Sequence, residues 1–320
     1  MSKLLLTGAS GFVGRAVLDR LLEDGRFDTT IAVRRGLPGL STLVNVTRMG
    51  TIDAESNWNN AVADCAVVIH CAARVHVMSD ASADPLADFR KVNVDGTLQL
   101  ARQAAQAGVK RFVFLSSIKV NGESTLAGAP YTADAEPAPA DPYGISKMEA
   151  EEALRLLSVQ TGMEVVIIRP TLVYGPGVKA NFLAMMKWLN RGIPLPLGAI
   201  DNLRSLVALD NLVDLILTCA EHPAAANETF LVSDGEDLST TQLLHKMASA
   251  LEISARLIPV PVWMITCGAS LFGRRALSQR LCGSLQVDIG KTRQLLDWTP
   301  PVCVDQALSA TARHFLLGAQ

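Results

Sequence analysis

Tyr143 and Lys147, in the run Tyr143-Gly-Ile-Ser-Lys147, lie four residues apart just after Pro142. On a helix that spacing puts them on one face. An ammonium beside a phenol favours the phenolate, so it lowers a pKa that begins near ~10. A phenol tuned in this way passes a proton to or from a carbonyl or alcohol oxygen near neutral pH. Upstream, Phe112 to Ser117 reads as a strand ending in two serines. A hydroxyl there donates to the same oxygen. Alone, a tyrosine and a lysine four apart also fit an exposed helix face without chemistry. The rest of the chain decides between the two.

The element that would position such chemistry stands at the start. Leu4 to Leu6 is an apolar run, followed by Gly8, Gly11 and Gly14. Phe12, Val13, Ala16, Val17, Leu21 and Leu22 then recur at helical spacing. Strand, glycine turn and helix form the context of a dinucleotide site. Gly8 allows the tight turn, Gly11 lets backbone approach a pyrophosphate, and Gly14 lets helix pack on strand. The free N–H groups at the helix start favour the phosphate charge.

Strands are expected at 3–7, 29–33, 43–48, 66–71, 111–116 and 164–169. Helices are expected at 12–24, around 56–62, at 86–107 and at 143–160. The alternation predicts an α/β fold: a Rossmann-type doubly wound parallel sheet covered on both faces. After Pro170 the pattern loosens into short helices near 180–190, 210–221, 239–250, 262–272 and 305–318, with strands near 205–208 and 228–232. This reads as a smaller mixed C-terminal lobe. The expected division is 1–170 with 204–235 returning to it, against a substrate lobe of 171–203 and 236–320. The long loop 121–142 is rich in Ala and Pro, as lids and binding segments often are.

Of 320 residues, 49% are apolar and 19% charged, and the net charge is −2. That describes a compact globular chain and argues against a nucleic-acid partner. The six cysteines and five histidines show no ligand spacing, so no metal site is expected. Cysteines set in apolar segments suit a reducing, cytoplasmic setting. The chain runs straight into a strand, so no leader is expected. The longest apolar stretch, Val260 to Phe272, is too short to span a bilayer. It reads as a core or interface helix, with attachment to a membrane surface as the other reading.

The Thr7-Gly8-x-x-Gly11-x-x-Gly14 turn, the Ser117…Tyr143-x-x-x-Lys147 set and Asn93 of Asn93-Val-Asp-Gly-Thr97 together resemble the extended short-chain dehydrogenases/reductases. More narrowly, they resemble the NAD-dependent epimerase/dehydratase family acting on nucleotide-diphosphate sugars. The resemblance implies that Ser117 orients the substrate oxygen and Tyr143 is the acid/base. Lys147 holds the nicotinamide ribose. Ile69-His-Cys-Ala-Ala73 resembles the strand along the cofactor, and Arg169-Pro-Thr-Leu-Val-Tyr-Gly-Pro176 the turn beside the nicotinamide. The implied cofactor contacts are Gly8, Ser10, Gly11, Phe12, Val13, Gly14, Thr51, Ile52, Cys71, Ala72, Ala73, Asn93, Tyr143, Lys147, Pro170 and Thr171. On the sugar-nucleotide side the resemblance implies Arg74, Ser117, Lys119, Asn181, Leu197, Arg204 and Arg280. A guanidinium such as Arg204 matches diphosphate oxygens with its fork of donors.

Two departures matter. Where many sugar epimerases end the second strand with an aspartate for the adenosine ribose, Ile31-Ala-Val33 is followed by Arg34 and Arg35. A carboxylate repels a 2′-phosphate and a guanidinium binds it, so NADP(H) is expected ahead of NAD(H). Thr51 stands where the family often has an aspartate beside the adenine. The segments 73–78, with Arg74, His76 and Met78, and 116–122 resemble a bacterial branch from surface-polysaccharide (O-antigen, lipopolysaccharide) sugar synthesis. The expectation is therefore an NADPH-dependent reductase of a UDP-4-keto-6-deoxy-N-acetylhexosamine. The alternatives are a UDP-N-acetylglucosamine or UDP-glucose 4-epimerase with tightly bound NAD, and a non-catalytic dinucleotide sensor. The helices 86–107 and 143–160 resemble those that pair in the family's homodimer; their apolar residues are Leu98, Leu100, Ala101, Ala105, Ala150, Ala153 and Leu157.

Overall fold

The computed structural model describes residues 2–34, 44–75, 84–126, 128–271 and 275–318. The first six strands are β1 (Ser2–Thr7), β2 (Phe27–Val33), β3 (Asn45–Arg48), β4 (Cys65–His70), β5 (Arg111–Leu115) and β6 (Glu164–Pro170). Next come β7 (Leu172–Tyr174), β8 (Arg204–Ala208), β9 (Thr229–Val232) and β10 (Asp237–Leu238). The large sheet has the order β3-β2-β1-β4-β5-β6-β9, and every pairing in it is parallel. The order reverses between β1 and β4, which opens a crevice beyond their carboxyl ends, where open α/β sheets bind ligands.

Apolar residues on both faces of the strands explain the two helical layers. On one face Leu4, Leu6, Val113 and Ile168 pack with Val17, Leu18 and Leu21 of α1 (Phe12–Asp24). On the other, Leu5, Phe112, Phe114 and Ile167 pack with α2 (Asn59–Val62) and with the segment from 85 to 106. That segment, expected as one helix, is α3 (Pro85–Arg90), a π turn at Lys91–Gly96 and α4 (Thr97–Gln106). The wide turn admits a close approach: a Cβ on Gly96 would stand 2.5 Å from the Ile52 side chain. The long helix α5 (Pro142–Thr161) completes that face. Proline at its first position and the Asp141 carboxylate accepting from Gly144 N at 2.7 Å start it.

The smaller lobe contains α6 (Ala180–Asn190), and the chain then passes through β8 to α7 (Leu209–Glu221). There, β8 pairs with β7 and β10 in a separate mixed sheet, while α7 packs with α1 on the large one and β9 adds to its edge. Helices α8 (Thr240–Ala250), α9 (Val262–Leu271), α10 (Arg275–Cys282), α11 (Gly290–Leu296) and α12 (Val304–Leu317) follow. Phe182, Met186, Leu244, Met247 and Leu308 centre the second core. β7, β10, α10 and α11 had no expectation; they are two to eight residues long, too short to show a period. The loop 121–142 is tied down: Thr125 and Tyr131 donate to the carbonyls of Ser284 and Gln286, each at 2.9 Å.

One buried ion pair joins α5 to the sheet. Glu151 on α5 and Arg169 on β6 are almost wholly removed from water and meet through two bonds of 2.6 and 2.9 Å. Ser116 Oγ donates to the same carboxylate at 2.5 Å, and Arg169 donates to Asn121 Oδ1 at 3.0 Å. Removing one member of such a pair leaves a buried charge without compensation. Glu151→Gln is therefore expected to destabilise by about 3–5 kcal/mol, while Glu151→Leu with Arg169→Met recovers most of the loss. Urea denaturation checks both; a loss below ~1 kcal/mol for the single variant contradicts the assignment.

Candidate active site

The glycine turn is held by backbone contact. Gly8 has φ +77°, and a Cβ on it would stand 2.6 Å from Ala72 N. A Cβ on Gly14 would stand 2.2 Å from Gly8 O. These two positions accept no side chain. Gly11 precedes α1, and no side chain caps the helix and no acid lies in its first turn. Ser10 and Gly11 are exposed at that end, with Phe12 and Val13 half-buried beside them. A turn closed to side chains and a helix start with its N–H groups unclaimed by side chains fit a pyrophosphate.

The end of β4 is pinned from three sides. His70 Nδ1 hydrogen bonds Thr7 Oγ1 at 2.7 Å and Nε2 hydrogen bonds Thr97 Oγ1 at 3.0 Å. Burial, aided by the Lys147 charge, pushes the imidazole down to about 3, so it is neutral. His70 was visible only as a residue within the 69–73 run; its pegging role needed the three-dimensional neighbours. Cys71, whose thiol burial pushes up to about 12, leads to Ala72 and Ala73 beneath the glycine turn. Asn93, in the π turn, accepts from Arg74 N at 2.8 Å. It donates to Arg74 O and Ser146 Oγ, each at 3.0 Å. Both its N–H groups are engaged, so Asn93 holds the β4 loop against α5 instead of offering its donors to a ligand.

Ser117, Tyr143 and Lys147 come together at the carboxyl ends of β4 and β5. The Ser117 hydroxyl stands near enough to the Tyr143 phenol to favour its charged form. Lys147 Nζ donates to Leu115 O at 2.8 Å and lies 4.3 Å from the Phe114 ring centre. Burial pushes Lys147 down to about 8 and Tyr143 up to about 12. The expected lowering of the phenol is thus reversed in the protein alone: desolvation outweighs the favourable effect of the nearby Ser117 hydroxyl, and Asp141 adds like charge. The Phe89 ring meets Tyr143 edge-on at 5.9 Å and carries Arg74 at 5.6 Å on its face. Glu151 follows Lys147 by four residues on the same helical side. That spacing was the signal from which its part could have been read. Pro170 ends β6, and Thr171 Oγ1 donates to Val232 O at 3.2 Å.

The sugar-nucleotide candidates divide. Arg204 donates to the carbonyls of Arg280 and Gly283 at 3.2 and 3.0 Å. Burial works against its own charge, the Glu123 carboxylate favours it, and the Arg280 charge opposes it more weakly. Asn181 is exposed at the start of α6, beside Ala180, whose φ of +54° is unusual for an alanine. Leu197 is buried, and its carbonyl accepts from Thr241 Oγ1 at 2.7 Å. Lys119 departs from its expected part: its ammonium pairs with Asp141 and with Glu123 at 2.9 Å, so it braces the start of α5. Arg34 is exposed just past β2. Thr51 donates to Asp53, a carboxylate that this bond holds below its ordinary value, and Ile52 packs under Gly96. Asp53 went unremarked because it lies two residues from the family position. Arg35, His76 and Met78 lie outside the described residues.

A doubly wound parallel sheet, a glycine turn at its switch point and a Ser–Tyr–Lys set at the adjoining strand ends define a dinucleotide-dependent oxidoreductase of Rossmann type. The chain belongs to the NAD dependent epimerase/dehydratase family, whose profile matches residues 4–233. It is 48% identical over 98% of its length, and 95% of the relative's, to a UDP-glucose 4-epimerase of Vibrio cholerae. An N-acetyl-α-D-glucosaminyl-diphospho-ditrans,octacis-undecaprenol 4-epimerase of Escherichia coli O157:H7 is 27% identical over 99% of this chain and 96% of its own. A UDP-glucuronic acid 4-epimerase from Bacillus cereus, solved with NAD, shares the fold with a TM-score of 0.80 at 19% identity, covering 99% and 100% of the two chains.

Gly14→Ala is expected to weaken dinucleotide binding at least about tenfold, because α1 must move off the turn; equilibrium dialysis checks it, and unchanged affinity contradicts the close approach. His70 gives a pH test. Between about 3 and 6.5 the unfolded chain binds a proton that the folded imidazole refuses, so stability rises with pH across that window and falls on acidification. His70→Asn is expected to flatten this slope in denaturation curves taken below pH 6.5; an unchanged slope contradicts a buried neutral imidazole.

Proposed function

We propose that the protein is an NAD-dependent 4-epimerase of UDP-linked hexoses. The observation that carries this reading is the Ser117–Tyr143–Lys147 set standing beside the glycine turn. It is supported by the 48% identity over nearly the whole chain to a UDP-glucose 4-epimerase. When bound, the nicotinamide would supply the acceptor and donor of the C4 hydride. Tyr143 takes the proton of the sugar's C4 hydroxyl and returns it to the ketone oxygen. Burial keeps the phenol protonated in the protein alone, the form that donates to a ketone; to act as the base it first gives that proton to solvent, and the phenolate then takes the proton of the C4 hydroxyl. Ser117 holds the reacting oxygen toward the phenol. Lys147, with its proton affinity lowered to about 8, carries the positive field that eases release of the phenolic proton. Arg204 and Arg280 hold the diphosphate, and Asn181 the phosphates at the start of α6.

The second reading is the NADPH-dependent 4-reductase of a UDP-4-keto-6-deoxy-N-acetylhexosamine, serving O-antigen synthesis. Arg34, exposed past β2 in place of a ribose-binding carboxylate, favours it. A homodimer through α5 goes with either reading. Leu156 and Val159 are 65% and 87% exposed, whereas Leu100, Ala101, Ala150 and Leu157 pack on their own sheet.

Incubation with UDP-glucose or UDP-N-acetylglucosamine, without added cofactor, is expected to give the C4 epimer with no net change in nicotinamide absorbance. NAD should be released on denaturation. Steady NADPH consumption with the 4-keto-6-deoxy sugar, and no epimerisation, decides for the reductase. Tyr143→Phe is expected to lower kcat roughly 10²- to 10⁴-fold while UDP affinity survives; equal loss of both sinks its role as the acid/base.

A further inference from the structure

We propose that the small lobe carries a membrane-docking face, centred on α9, that lays the enzyme on an anionic bilayer surface. The ten residues of α9, Val-Trp-Met-Ile-Thr-Cys-Gly-Ala-Ser-Leu, include no charge, and none of their side chains is buried. Its two sides differ in what they meet. Val262 and Ile265 pack against the core of the small lobe. Trp263, Cys267 and Leu271, spaced by four, share one outward stripe with Met264 beside it. Trp263 is 67% exposed, Met264 49% and Leu271 86%. A helix of a soluble protein ordinarily turns polar residues outward; here the outward stripe is the apolar one.

The stripe continues beyond the helix. Ile258, 49% exposed, lies in the strand-like run just before α9, which pairs with Leu195. Ile193 and Trp188, at 42% and 39% exposure, are joined through the Ile193 N–H to the Trp188 carbonyl at 3.4 Å. Two sequence-distant pieces of the small lobe, the end of α6 with the run after it and the run 256–258 leading into α9, are joined at Leu195 and Leu257, and both carry exposed large apolar side chains.

Charge selects the occupant. The chain as a whole is slightly acidic, at −2. Yet no Asp or Glu occurs in the sequence from 165 to 200 or from 253 to 287. Lys187, Arg191 and Arg256, all exposed, stand among the apolar residues. An apolar stripe with tryptophan and exposed cations, drawn from stretches that contain no acid, matches the headgroup layer of an anionic membrane. At 1.5 Å per residue α9 spans about 15 Å, half the hydrocarbon core, so it lies in the interface and does not cross. Among the described residues no helix is long and apolar enough to cross a membrane. Apolar insertion and cationic attraction are the two signals that stable surface attachment requires.

The test is sedimentation of the full chain with phosphatidylcholine vesicles and with phosphatidylglycerol-rich vesicles. Binding is expected to the second and not the first, weakened by salt, with a blue shift of tryptophan emission. Trp263→Ser with Met264→Ser is expected to lower the vesicle affinity at least about tenfold, and Lys187→Gln with Arg256→Gln to remove the anionic preference. Thermal midpoints of both variants should match the parent, since all four side chains are exposed. No binding to either vesicle, or equal binding by the Trp263 and Met264 variant, overturns the proposal. So does concentration-dependent self-association without vesicle binding that the same variant abolishes; the face is then an interface between copies of the chain.

Discussion

The paired charges of Glu151 and Arg169 are the constraint on which the arrangement of the candidate site rests. Glu151 follows Tyr143 and Lys147 on α5 at four-residue steps. Arg169 belongs to β6, and its guanidinium also grips Asn121 in the loop after Ser117. Ser116, next to Ser117, donates to the same carboxylate. One buried pair thus fixes the helix bearing the tyrosine and lysine, the strand end bearing the serine, and the sheet between them. Two charges out of water are tolerated only when nearly every donor and acceptor is matched. That requirement leaves α5 one register against the sheet.

A second set of contacts brings the dinucleotide turn to the same place. Gly14 lies against Gly8, and Gly8 against Ala72, at distances that no side chain survives. His70, neutral through burial, links β1, β4 and the first residue of α4. Asn93 uses the π turn to reach both the β4 loop and α5. The site is built largely from backbone approach and buried neutral polar groups, whose geometry solvent does not screen. Lys119 and Asp141 brace the start of α5 from the outside.

The electrostatics of the tyrosine show why neighbours in sequence do not settle proton affinity. Spacing alone places an ammonium near a phenol and argues for a lowered pKa. In the folded protein Lys147 turns to the Leu115 carbonyl and the Phe114 ring, and burial dominates both groups. The small lobe supplies the other contrast. Its inward residues form an ordinary core, while Trp263, Met264 and Leu271 of α9 stand exposed on its outside.

Much of the fold was legible because its signals are local. The apolar runs at 4–6, 112–114 and 165–168 and the periodic helices α1, α5 and α7 report burial through side-chain period alone. The glycine turn and the Tyr143–Lys147 spacing are equally local, since each lies within one turn and its flanking element. Short pieces such as β7, β10 and α11 were not legible, because so few residues carry no period. The break of the 86–107 helix into α3, a π turn and α4 brings Gly96 against Ile52, a neighbour far away in sequence. What the sequence by itself determined was the layered α/β plan and which side chains are the candidates for its chemistry. Only the tertiary structure decided which carboxylate meets Arg169, that Lys119 serves Asp141, and that burial holds the Tyr143 proton. Desolvation and pairing depend on groups that the chain brings together only by folding.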